Sequence, residues 1–98
     1  MNREENDRAV MLDEEFDDFA RKRLQPGGNC HRSDIVRSFR RFNPKYRFDS
    51  EQYPLTDREI EKLLRQWNET KNPYGKAEMR SSGFYYGIQI NKEADVFY

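Results

Sequence analysis

Cys30 and His31 stand side by side as the chain's one cysteine and one histidine, and both residue types bind zinc or take part in nucleophilic chemistry. A zinc centre needs about four ligands at workable spacing, more than one thiol and one imidazole supply. Nucleophilic catalysis meets a similar obstacle, because sequence neighbours point apart and no third residue is placed to orient them. Asp13, Glu14, Glu15, Asp17 and Asp18 read as the solvated first turns of a helix, with no second carboxylate fixed opposite them for general acid and base work. Pro26-Gly27-Gly28 lacks the preceding strand and following lysine of a phosphate-cradling loop. The expectation is a protein without a catalytic site, metal or cofactor.

Arginine and lysine offer a different chemistry, contact with phosphate oxygens and guanine edges. The chain has formal net charge +0, but its charges are unevenly placed. Residues 1–20 hold two basic against eight acidic side chains, a net of −6, and residues 21–47 hold nine basic against Asp34 alone, a net of +8. Such a split permits a basic face despite the neutral sum, and a basic face is the footprint of a polyanion partner. The densest block is Arg37, Arg40, Arg41, Lys45 and Arg47. Further along, Arg58, Lys62, Arg65 and Gln66 share the outer face of a helix, followed by Lys76, Arg80, Ser81 and Ser82 in a hairpin. Glu59, Glu61 and Glu69 oppose phosphate binding there, an effect reduced if Glu59 is engaged in a cap and Glu61 pairs with Arg65.

The elements that must position these groups can be read from periodicity. Thr56 and Glu59 form a capping box, and Ile60, Leu63, Leu64 and Trp67 then fall on one helical face until Asn72-Pro73 stops the helix. Phe84 to Ile90 is an aromatic and β-branched strand, Ser81-Ser82-Gly83 its turn, and Lys76 to Arg80 its partner. If Phe84, Tyr86, Ile88 and Ile90 face the core, Tyr85 is turned outward and free to touch a backbone or a base. Upstream, Asp13 to Leu24 is a helix with Phe16, Phe19, Ala20 and Leu24 on one face, terminated at Gln25 to Asn29. A minor strand over Asn29 to Arg32 leads to a second helix, capped by Ser33 and running from Asp34 to Phe42 with Ile35, Val36, Phe39 and Phe42 inward. The connection Pro44 to Leu55 should pack on the core through Tyr46, Phe48, Tyr53 and Leu55, with Leu55 stapling the third helix.

This pattern predicts one α+β domain, a small winged helix-turn-helix of three helices with a C-terminal β-hairpin wing over residues 12–92. Residues 1–11 are expected to be a flexible segment, and residues 93–98 a tail whose Val96, Phe97 and Tyr98 fold back or mark the cut end of a longer chain. Mean hydropathy of −1.22 with 37% charged residues suits a small aromatic core rather than a large one. Ninety-eight residues leave no room for a second core. No apolar run is long enough for a signal peptide or membrane span, and a lone thiol fits a reducing compartment, so the expectation is an intracellular protein of the cytoplasm or host nucleus.

The helix order, the Pro54-Leu55-Thr56 step into the third helix and the closing Phe84-Tyr85-Tyr86-Gly87-Ile88 run resemble the winged helix of the regulatory factor X type. They are also similar to the C-terminal winged helix of poxvirus-type and phage primase-helicases. The resemblance covers about Asp13 to Lys92, and its specific part is the closing strand. It implies a hairpin that enters the major groove, which would set Lys76, Arg80, Ser81 and Tyr85 against DNA. This hairpin departs from the family's basic one, having mainly Lys76 and Arg80 with Glu78 between them. The functional expectation is duplex DNA binding within a viral, phage or mobile-element replication or regulatory protein, with no membrane or small-molecule partner. The alternative is a winged-helix module for a protein partner or homo-oligomer, with the acidic first helix of one copy against the basic second helix of another.

Overall fold

The computed structural model describes residues 3–47, 49–51 and 54–95. Phe48, Tyr53 and the terminal Val96, Phe97 and Tyr98, which figured in the packing expectations, lie outside them. The chain order is α1 (Arg3–Arg23), β1 (Leu24–His31), α2 (Arg32–Phe42), a single 3-10 turn (Pro44–Tyr46), α3 (Asp57–Thr70), β2 (Glu78–Met79), β3 (Phe84–Ile90) and the short α4 (Lys92–Asp95). The result is an α+β domain of three long helices and a three-stranded antiparallel sheet with β3 in the middle, ordered β1-β3-β2.

Helix α1 begins well before Asp13. Its early turns give little apolar periodicity, and Val10 and Met11 remain exposed, so the pattern that marks an amphipathic helix starts only where the core does. From there Phe16, Phe19, Ala20 and, in β1, Leu24 are buried. Phe39 of α2 stacks on Phe16 at 5.4 Å, meets Phe19 edge-on at 5.4 Å and lies parallel to Tyr46 at 5.8 Å. Trp67 of α3 closes the cluster against Phe16 at 6.0 Å, and its indole N–H donates to Asp17 at 2.9 Å. Aromatic rings thus join all three helices, the large-payload packing that a small polar chain needs.

The capping box of α3 forms as expected, with Glu59 N donating to Thr56 Oγ1 at 3.2 Å and Thr56 N donating to Glu59 Oε1 at 3.1 Å. Leu55 and Ile60 beside it are both buried, as a staple requires. The cap of α2 is His31 rather than Ser33. Its Nδ1 accepts from Ser33 N at 3.1 Å, and the tautomer that does so donates from Nε2 to the Ser82 carbonyl at 3.0 Å. One imidazole therefore ties the start of α2 to the hairpin turn. Arg32 N donates to Gly83 O at 2.9 Å in the same corner. Gly83 has φ +87°, and a Cβ there would stand 2.7 Å from His31 Nε2, so the turn admits no other residue without displacing the cap.

The sheet differs from expectation in three ways. β1 is eight residues long and starts at Leu24, so the Pro26-Gly27-Gly28 stretch that ends α1 is also inside a strand. Between the pairs Pro26↔Ile88 and Asn29↔Tyr86, two residues of β1 oppose one of β3, a β-bulge. On β3, Gly87 at φ +112° breaks the alternation of faces, so that Tyr85 and Ile88, three apart, are both buried. The partner strand is shorter than Lys76 to Arg80, being Glu78–Met79 alone.

The hairpin is fastened to α3 by one buried side chain. Asn68, 6% exposed, donates from Nδ2 to Ala77 O at 2.9 Å and accepts from Ala77 N at 2.8 Å through Oδ1. Asn72 Nδ2 donates to the same oxygen at 2.9 Å. Truncating Asn68 strands the buried donor and acceptor of Ala77 together. Asn68→Ala should therefore lower unfolding free energy by about 2–3 kcal/mol in urea titration, with amides 77–79 losing exchange protection first. A change under about 0.5 kcal/mol would show that the clamp is dispensable.

Candidate nucleic-acid interface

Helix α2 buries Ile35, Val36, Ser38 and Phe39, which leaves Asp34, Arg37 and Arg41 along its outer side. Arg37 is the most open of its cations, 67% exposed, with Asp34 at 3.7 Å. A groove of about 700 Å³ runs between α2 and the first turn of α3, lined by Arg37, Arg40, Arg41 and Arg47, with Val36 and Pro44 as apolar lining and Asp57 and Glu61 as its acids. Arg47, on the connection after the 3-10 turn, has Asp49 at 3.4 Å.

Arg40 is different in kind. Only 17% exposed, it contacts Asp57 at 2.5 Å and donates from Nη2 to the Leu55 carbonyl at 2.8 Å, so it holds the start of α3 against α2. Lys45 is also engaged internally, 2.6 Å from Glu15 of α1, where the Tyr46 hydroxyl donates to the other carboxylate oxygen. Two of the five cations in the densest basic block therefore join elements of the fold.

On α3, Arg58, Lys62, Arg65 and Gln66 lie exposed on the side opposite Ile60, Leu63, Leu64 and Trp67. Glu61 pairs with Arg32 at 3.7 Å, where the sequence suggested Arg65. That contact joins the first residue of α2 to the middle of α3. The hairpin cations each sit near a glutamate, Lys76 at 3.9 Å from Glu69 and Arg80 at 3.7 Å from Glu78. Ser81 is exposed at the turn.

Tyr85 does not point outward. It is 3% exposed, and burial pushes its hydroxyl pKa up, in a field set by Arg65, Glu61 and Arg32. The kink at Gly87 is the physical reason: it lets Tyr85 and Ile88 share the core side and turns Phe84 and Tyr86 to the surface. Phe84 is 36% exposed, in edge contact with His31 at 5.0 Å. Tyr86 lies beside Phe84 at 6.4 Å with the Arg80 guanidinium 4.4 Å from its ring centre. Phe84, Tyr86 and Arg32 were absent from the sequence-derived surface. An isolated glycine inside a strand pattern was the available signal, since it often marks a bulge that re-aims its neighbours.

Cys30 and His31, adjacent in sequence, go to separate jobs. Cys30 is buried opposite Tyr85, its Sγ 3.6 Å from the Ile88 carbonyl, and burial, with Asp34 nearby, pushes its pKa up to about 12. Burial of this kind suits a thiol that packs in the core. Among the described residues no group of three or more His, Cys, Asp or Glu side chains is placed to hold a metal, and no helix is long and apolar enough to cross a membrane. Compared with protein-family models, with curated proteins and with solved structures, the chain matches none.

The shifted thiol makes stability depend on pH. Its folded pKa lies above the ordinary 9.0, so its contribution is intact below pH 9 and is lost as pH rises toward 12, because the unfolded chain ionises first. Tyr85, also raised by burial from its ordinary 10.0, acts in the same direction. The urea midpoint should fall as pH is raised through 9, and Cys30→Ala should flatten that fall. Equal slopes for the two proteins would contradict the assignment.

Proposed function

We propose that this chain is a winged-helix domain that binds nucleic acid, duplex DNA above all, through its phosphates. The element order supports the fold reading: three helices with a strand between the first two, then a hairpin whose inner strand pairs with that strand. The observation that carries the functional reading is the groove between α2 and α3, where Arg37, Arg41 and Arg47 line one open surface. Arg58, Lys62, Arg65 and Gln66 extend the basic surface along α3. Lys76, Arg80 and Ser81 form a weaker flank, because the glutamates beside the two cations offset their charge. Arginine suits this work, since its planar fork meets phosphate oxygens in pairs.

Pairing between copies through α1 has less support. Glu15 is taken by Lys45 and Tyr46, Asp17 by Arg21 and Trp67, and Asp18 by Lys22, all inside one chain. The setting in a viral, phage or mobile-element protein rests on the resemblance of the closing strand.

Fluorescence anisotropy with a short labelled duplex tests the proposal. About four phosphate contacts would weaken binding roughly 100-fold between about 50 and 200 mM salt. Arg37→Ala with Arg41→Ala should reduce the slope of log affinity against log salt by about 2, whereas Arg40→Ala should act mainly on the unfolding midpoint. Absence of salt-sensitive binding at micromolar protein would remove the proposal.

A further inference from the structure

A second hollow, of about 460 Å³, shares Arg37 and Arg41 with the first and lies between α2 and the sheet. We infer that it receives one unpaired nucleotide, the base against Phe84 and its phosphate over the Arg37 and Arg41 ridge, so that the domain binds duplex carrying a single-stranded extension. The inference rests on the nucleic-acid reading above and adds the form of nucleic acid to it.

Several observations converge on that occupant. The volume is within the roughly 300–1,000 Å³ of sites that take small organic groups. Phe84 is among the lining residues, partly exposed and in edge contact with His31, so its ring is positioned without being covered by the core. Every base has a π-face, and stacking on an exposed aromatic ring is the sequence-tolerant way of holding an unpaired one. The side-chain amides of Asn29 and Gln89 line the same hollow and offer both donors and acceptors to a base edge. Lys92 joins Arg37 and Arg41 there, against Asp34 as the acid among the described lining residues. That imbalance of sign fits an anion.

The geometry of the ridge favours a nucleic acid over a free nucleotide. Arg37 and Arg41 line both this hollow and the larger groove, so a phosphate backbone crossing them is contacted from two adjoining depressions. A duplex against the α2 and α3 side would have to leave one strand unpaired to enter the hollow, where a base meets an aromatic ring and amides in place of its partner.

Three labelled probes test this: a blunt duplex, the same duplex with a short thymidine overhang, and oligothymidine alone. The overhang should bind roughly 10-fold tighter than the blunt form, the scale of one stacked base. Phe84→Leu, which keeps an apolar side chain beside His31 but removes the π-face, should abolish the preference and leave blunt-duplex affinity unchanged. Phe84→Trp should keep the preference and add indole fluorescence that the overhang quenches and the blunt duplex does not. Equal binding of blunt and overhang probes, or equal loss on both with Phe84→Leu, would overturn the inference while the duplex proposal stands. Failure to bind any of the three would overturn both.

Discussion

The side chain of Asn68 is the constraint on which the arrangement of this domain turns. An amide has a donor and an acceptor on one planar end, and here both are spent on the peptide groups of Ala77, next to the short strand β2. The hairpin has only two residues of pairing on that side of β3, too little to fix its direction by ladder bonds alone. A buried side chain therefore performs part of the work of a strand. Its neighbour Trp67 packs into the helical core and reaches Asp17, so consecutive residues of α3 engage the hairpin and α1. The two layers are oriented from one turn of helix.

Much of the opposite charge along the chain is paired within the fold. Acids of α1 neutralise cations from the following stretch, within the helix at Arg21 and Lys22 and across the fold at Lys45. Arg40 is consumed by Asp57 and the Leu55 carbonyl. The exposed cations that follow are a narrower set, Arg37 on α2, Arg47 beyond it and the outer cations of α3, with Arg41 half-buried beside them. Counting charges along the sequence finds the basic region. It does not separate cations that hold helices together from cations that face water, because that depends on residues fifteen to thirty positions away, Arg40 with Leu55 and Lys45 with Glu15.

Local signals were read well where the physics is local. The capping box of α3 and the turn before Phe84 follow from contacts between near neighbours, and apolar spacing alone marks the inward face of α3 and the burial of Tyr46 and Leu55. The misses share a cause in strand geometry. Pro26-Gly27-Gly28 looks like a terminator, and only pairing with β3 makes it the bulged middle of a strand. Strict alternation sent Tyr85 outward, and the backbone at Gly87 reversed it. Likewise His31 could be recognised as a cap only once the turn at Ser82 was beside it, since the second ring nitrogen needs that carbonyl. Periodicity locates the outward side of α3, where Arg58, Lys62, Arg65 and Gln66 are exposed, but not the engagement of Arg40 on α2, and the residues of the sheet required the register.

The irregular middle of β1 also bears on what its open edge can pair with. β1 is an outer strand, and its length would ordinarily make it a template for a foreign strand. Proline at position 26 has no amide hydrogen to offer, and the next two residues, at φ +85° and +64°, bend the backbone out of the plane a newcomer would have to match. Pro26, Gly27 and Gly28 therefore make this edge a poor template for cross-β growth.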